Sequence, residues 1–399
     1  YNGTSFLNFN TDSGAWFQDI YEVETGRFWI ATNQGVYRYD PNTTISFTQK
    51  DGIGPTNQGT HGRKFYIDRA GNLWYSSPDR GVVRFDGKFA HVFSVAEGLP
   101  HSNVRDILHS KDGAMWFATL GGGVSRYDGK NFSNYSSPQF PDDNSQSIYE
   151  DKDGTLWFGT ETTLVRYNGK NKFISYSDGL PYKNIGSIFR GSQGYLWLIC
   201  VTENSGRRIV RFNDKNKEFL DVSLLPGLTD YWTHDIHVDP IGNLWVATHS
   251  TGIFLLRKDA KSFENWTIKS KGIAGDDAQR IFEDAEGHIW VSTDRGVVRW
   301  DGQTLVNYDS KDGLGHNDVR CSFQDQRGRH WFGTYGGGVS LYDGKQFSSF
   351  DSSHGLSHDT VFDIIGSPNG SLWFSTQGRF STHCLRGYGS LGGRGSGTY

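Results

Sequence analysis

The chain has 399 residues, among them 51 Gly, 13 Trp, 19 Tyr and 27 Phe, and its 40 basic and 44 acidic side chains leave a net charge of −4. Neither sign forms a block, which argues against a nucleic-acid partner, and no run of about 18 apolar residues is present to span a membrane. Three scattered cysteines, Cys200, Cys321 and Cys384, make neither a disulfide framework nor a Cys-x-x-Cys metal site, and Cys200 at the end of an apolar run reads as a small buried hydrophobe.

In chain order, Tyr1-Asn2-Gly3-Thr4-Ser5-Phe6-Leu7-Asn8-Phe9 reads as a lone strand. A hydrophobic-Trp-hydrophobic phrase then recurs at Trp29, Trp74, Trp116, Trp157, Trp197, Trp245, Trp290, Trp331 and Trp373. The spacings run from 40 to 48 residues, the size of a four-stranded propeller blade. Residues 104–136 show one unit clearly. Val104 to His109 forms a first strand, Met115 to Thr119 a second, Val124 to Tyr127 a third and Asn131 to Tyr135 a fourth. Turns rich in Asp-Gly separate them, because both turn residues must tolerate positive φ. An aromatic recurs in the third strand at Tyr39, Phe85, Tyr127, Tyr167, Phe212, Trp300 and Tyr342, and would fill the wedge between splayed sheets together with the Trp column. The sixth unit departs, with Gly252-Ile253-Phe254-Leu255-Leu256-Arg257, so its third strand should pack differently. The last unit keeps two strands, near 360–365 and 372–376, and then loses the pattern.

The opening strand matches Tyr127-Asp128-Gly129-Lys130-Asn131-Phe132-Ser133-Asn134-Tyr135, an outer strand, and so can complete the last unit. The prediction is an all-β fold, a single β-propeller over residues 1–386. It has nine four-stranded blades, and the N-terminal strand completes the last one and closes the ring. Closure would leave no free sheet edge. Residues 387–399 read as a flexible Gly/Ser-rich tail.

The phrase Asp-Gly-x-Leu-Trp-Phe-Gly-Thr-x-x-Gly-Gly-Val-x-Arg-Tyr-Asp-Gly-Lys-x-Phe stands almost verbatim at 112–132, 153–170 and 328–347, and Asp-Gly-Leu recurs at 178–180 and 312–314. It resembles the repeat of the two-component regulator propeller family. In that family such repeats form extracytoplasmic sensor regions of hybrid histidine kinases, many tied to polysaccharide sensing. The resemblance implies a bacterial, periplasmic or secreted sensor-type propeller.

Function on such a scaffold belongs to the loops around the channel mouth. Eight residues before each first hairpin glycine lie Gln18, Arg63, Arg105, Gln146, Gly186, His234, Gln279, Arg320 and Phe362. One further on lie Asp19, Lys64, Asp106, Ser147, Ser187, Asp235, Arg280, Cys321 and Asp363. These polar pairs either bond to one another and to channel water, or hold a polar or anionic ligand through Arg63, Arg105, His234 and Arg320. At the start of the same strand the column reads Trp16, His61, Asn103, Asn144, Asn184, Trp232, Asp277, Asp318 and Thr360. Asn and Asp are ordinary turn residues there, whereas Trp16 and Trp232, the latter preceded by Tyr231, are not. Flat amphipathic rings at that place suit sugar stacking or a peptide clamp. The ligand-binding candidates are therefore Trp16, His61, Arg63, Arg105, Tyr231, Trp232, His234 and Arg320.

No Gly-x-Ser-x-Gly elbow, His-Glu-x-x-His helix or Walker loop occurs, so no catalytic residue, metal ligand or cofactor is assigned. Asp151-Lys152-Asp153-Gly154 opens like a calcium loop but lacks the later ligands and reads as a hairpin turn. His234 and His237 should alternate faces of a strand and so not share a metal. The expected function is non-catalytic recognition of an oligosaccharide or other small polar ligand. The alternatives are a polysaccharide lyase or hydrolase working in the channel, and a scaffold for a protein partner.

Overall fold

The computed structural model describes residues 17–24, 27–32, 36–40, 43–47, 65–77, 81–86, 88–169, 172–202, 206–228, 232–366, 370 and 372–376. Trp16, His61, Arg63, Tyr231, Cys384, the opening strand and the tail lie outside them. The described residues form eight four-stranded antiparallel meanders and one two-stranded sheet, 361–376. They group into two compact units, one made by the described residues of 18–223 and the other by those of 224–376 together with Phe17. In the sheet 104–135 the strands are Val104–His109, Met115–Thr119, Val124–Tyr127 and Phe132–Tyr135, so only the fourth differs from expectation, by one residue.

Within each unit the first strands of successive sheets lie side by side. Val104–His109, Ser145–Glu150 and Ile185–Arg190 do so in one unit. Thr233–Val238, Ala278–Glu283, Val319–Gln324 and Val361–Gly366 do so in the other. Large aromatics fill the gaps between sheets. Five Trp of the column pack on the third-strand aromatic of the following sheet, among them Trp29 on Phe85 at 5.0 Å, Trp116 on Tyr167 at 5.0 Å and Trp290 on Tyr342 at 5.9 Å. Burying an aromatic at each gap removes 150–250 Å² from water, about 4–6 kcal/mol per ring before the entropy of ordering is set against it. The sheet 233–266 uses another device. Leu256 stands where the others have a ring, and Trp266 of the fourth strand packs instead on Trp245 at 5.2 Å and on Trp300 at 5.0 Å.

A second repeat device is polar. Where Asp follows the first strand, its carboxylate accepts the indole N–H of the Trp six residues later. The pairs are Asp68–Trp74 at 2.7 Å, Asp151–Trp157 at 2.8 Å, Asp239–Trp245 at 3.1 Å, Asp284–Trp290 at 2.8 Å and Asp325–Trp331 at 3.0 Å. Each buried indole thus meets a charge-assisted acceptor that also ties the hairpin. Ser110 occupies this position in the sheet 104–135, and among the described residues Trp116 Nε1 has no partner. Asp151 sits in a hairpin turn, as expected, and also binds Arg190 at 2.6 Å.

The glycine before the third strand is fixed by crowding. A Cβ on Gly123 or Gly252 would lie 2.2 Å from the carbonyl oxygen of Tyr135 or Trp266. Both glycines also adopt positive φ, 69° and 90°.

Cys200 and Cys321 are buried, and burial pushes the Cys200 thiol up to about 12. That matches an inert core residue rather than a reactive one.

Candidate functional site

The first strands are not regular. In every sheet from 104–135 onward the pairing of the first two strands shifts register at one place, skipping Arg105, Gln146, Gly186, His234, Gln279, Arg320 and Phe362. These are seven of the eight described members of the column that lies eight positions before the hairpin glycine, the eighth being Gln18 in the strand Phe17–Glu24. Each of the seven is a β-bulge residue, unpaired in the ladder and turned out of the in–out alternation. The next residue returns to the regular face and is absorbed by the scaffold. Asp106 accepts from the amides of Ile107 at 3.0 Å and of Ile148, in the following sheet, at 2.9 Å. Asp235 repeats this with Ile236 and Ile281 at 3.0 Å each. The neighbouring column therefore staples sheets together, while the bulge column, apart from the exposed Phe362, remains half-buried at the start of the strands.

A backbone bond fixes the rim at each start. The amide of the residue just past the second strand donates to the carbonyl at the start of the first: Leu120 to Asn103, Glu161 to Asn144, His249 to Trp232, Asp294 to Asp277 and Tyr335 to Asp318, all between 2.8 and 3.0 Å. Two columns are thereby held side by side. The second of them, Leu120, Glu161, Val201, His249, Asp294 and Tyr335, was not singled out from sequence. It becomes visible only once the strand pairing is known.

In residues 224–376 these positions assemble a polar group. His234 approaches Asp277, with Nδ1 3.5 Å from Oδ1, and the same nitrogen lies 3.0 Å from the Ala278 carbonyl oxygen. His249 approaches the other oxygen of Asp277 at 3.3 Å, and the two imidazoles meet edge to face at 5.4 Å. Gln279, a bulge residue, donates to Asp277 Oδ1 at 2.9 Å. Trp232 stands at the start of the same strand with 65% of its surface exposed.

His237 goes elsewhere, to Glu283 at 2.7 Å. Both histidines reach the strand Ala278–Glu283, because the bulge takes His234 out of the alternation on which the expectation of opposite faces rested. Their partners there are nonetheless different carboxylates.

Arg320 is drawn to its own strand. It binds Asp318 at 2.6 Å and lies over the ring of Tyr335 at 5.3 Å, and Tyr335 is itself exposed. Burial raises the pKa of Asp318 although Arg320 opposes the shift. Arg105, in the other unit, is half-buried, and burial lowers its pKa. Of the eight candidates, the structure places Trp232 and His234 on one short segment beside His249 and Asp277, and Arg320 in an ion pair.

Three segments, 98–121, 139–162 and 313–336, match the sequence profile of a family described as the two component regulator propeller. Each matched segment covers one inner hairpin with its bulge residue and its rim position. No match to a curated protein accompanies these. Among solved structures the chain is similar to the extracellular domain of a protein described as a one component system from B. thetaiotaomicron. The identity is 18% and the TM-score 0.46, over 93% of this chain and 57% of that one. A second is the extracellular domain of a hybrid two component system from the same organism, 20% identical with a TM-score of 0.35, over 94% of this chain and 64% of that one. The chain thus spans less than two thirds of these domains. A third is virginiamycin B lyase from Staphylococcus aureus, 18% identical with a TM-score of 0.46, over 73% of this chain and 96% of that one.

Proposed function

Because the chain carries repeats of the two-component regulator propeller family, we propose that it is a non-catalytic, sensor-type propeller. In this reading its nine units close into one ring outside the cytoplasm. It binds a small polar ligand, an oligosaccharide by preference, at the rim where the first strands begin. The observation that carries the reading is Trp232. The residue is 65% exposed at a position where the described neighbours carry Asn, Asp or Thr, and its backbone precedes the strand that carries His234 and bonds to the amide of His249. A flat apolar face next to hydrogen-bonding groups is the combination that recognises a pyranose, one face apolar and the edges hydroxylated. Bulge residues supply the polar part, being re-aimed toward the start of the strands by the extra residue. Trp16, His61, Arg63 and Tyr231, at repeat positions outside the described residues, remain candidates for ligand contact in this reading.

Calorimetry against a panel of oligosaccharides tests this. Loss of a stacked aromatic should weaken binding by about tenfold or more in Trp232→Ala, with Trp232→Phe retaining most of it, since the ring rather than the indole N–H makes the contact. Binding that is unchanged in Trp232→Ala would remove this surface from the ligand. Turnover of a polysaccharide by the purified chain would replace the reading with the enzymatic one.

A further inference from the structure

We propose that His234, His249 and Asp277 form a binding site for a zinc-type divalent transition metal. One ligand atom from each of the three residues lies within 4.8 Å of the other two. The separation of His249 Nδ1 and Asp277 Oδ2 is 3.3 Å. A charge-assisted hydrogen bond between such groups would bring them to about 2.7–2.9 Å. Two ligands of one tetrahedral zinc ion, each at about 2.0–2.1 Å from it, stand about 3.4 Å apart. The spacing is therefore closer to that of co-ligands than to that of an ion pair.

The surroundings already contain the supports a metal ligand needs. His234 Nδ1 lies 3.0 Å from the Ala278 carbonyl oxygen, so a proton there is donated to that oxygen and leaves the lone pair on Nε2. Gln279 donates to Asp277 Oδ1 at 2.9 Å and orients the carboxylate, leaving Oδ2 toward His249. The chain segments themselves are tied together. His249 N donates to Trp232 O at 3.0 Å, Gly252 N to Asp276 O at 2.7 Å and Asp294 N to Asp277 O at 3.0 Å. Ile268 N adds a bond to Asp276 Oδ1 at 2.8 Å. Three ligands on bonded backbone can close on an ion by side-chain rotation alone.

Two imidazoles and one carboxylate select zinc, cobalt, nickel or copper over magnesium and calcium, which take oxygen ligands. The His249 side chain is 58% exposed, so the group is open to solvent and a fourth position can hold water or a ligand atom. The sequence did not disclose this group, because its members come from three segments and His249 belongs to no motif.

The test is calorimetric titration of untagged, chelator-stripped protein with zinc chloride, with cobalt absorption as a second readout. One zinc per chain is expected. His249→Ala and Asp277→Asn should each weaken binding by at least about tenfold, and Gln279→Ala by up to about tenfold through the carboxylate it orients. His330→Leu, which removes the imidazole of a separate group with Asp284 and Glu286, should leave the site intact. The metal-free melting temperature of His249→Ala should equal that of the wild type, because that side chain is exposed. Trp232→Ala should keep zinc binding, so a failed oligosaccharide reading and a failed metal site remain distinguishable. The proposal is overturned if no saturable binding is seen, if it survives both His249→Ala and Asp277→Asn, or if calcium or magnesium is preferred.

Discussion

Replacing Asp239 by Ala isolates what the Asp–Trp staple contributes. The carboxylate accepts the amides of Gly242 and Asn243 at 2.8 Å each, the Asn243 side chain at 2.8 Å and Trp245 Nε1 at 3.1 Å. The first three donors lie in a half-buried turn and can take water instead, so each contributes only about 0.5 kcal/mol. The indole is buried between sheets and cannot, which costs about 1–3 kcal/mol on its own. The total expected destabilisation is about 3 kcal/mol. With an unfolding entropy of about 2.1 cal/mol/K per residue, that lowers the melting temperature by about 4 °C if the whole chain unfolds together. The drop is about 8 °C if the unit containing 224–376 unfolds alone. Calorimetry measures the shift, and indole exchange of Trp245 reports whether it is local. The reverse change is Ser110→Asp, which offers Trp116 Nε1 the acceptor it lacks and should raise stability by about 1 kcal/mol. A neutral Asp239→Ala, or a destabilising Ser110→Asp with the hairpin intact, would refute the argument that the staple matters through the buried indole.

Other outcomes follow from single positions. Gly159→Ala should destabilise by about 1–3 kcal/mol in urea unfolding, since its Cβ would lie 2.5 Å from the Ile185 carbonyl oxygen and 2.4 Å from Ser147 Oγ. Ala118 and Ala247 occupy the same register in other sheets, so Ala118→Gly should cost only about 1 kcal/mol. His330 is buried where the other repeats carry Leu, Met, Ile or Phe, and burial holds its pKa below 6.5 although Asp284 opposes the shift. The unfolded chain therefore takes up this proton first as the pH falls below about 6.5, and stability drops from there down to the lowered folded value. His330→Leu should flatten that part of the stability–pH curve, and an unchanged slope between pH 6.5 and 5 would show that the imidazole is not kept neutral.

How much of this was legible differs by layer. The Trp column and the Asp-Gly turns gave strand boundaries within about a residue in the sheet 104–135, because hairpin turns and alternating burial are local constraints. The bulge column was found as a column, but the bulges were not. A sequence counts residues, whereas a bulge is a relation between two strands. For that reason His234 was expected on the face opposite His237, yet both meet the strand Ala278–Glu283. His249 escaped notice, since its column is created by backbone bonds to residues 17 positions earlier.

By itself, then, the sequence determined an all-β chain of repeated four-stranded meanders with aromatic cores. Those properties follow from residue spacing and turn chemistry, which act over fewer than ten residues. Only the tertiary structure decided which polar groups face one another. His234, His249 and Asp277 lie on three separate segments, and strand pairing together with the packing of one sheet on the next brings them within reach. Of the two aromatics that break the repeat, Trp232 is exposed, and its carbonyl is bonded to the amide of His249.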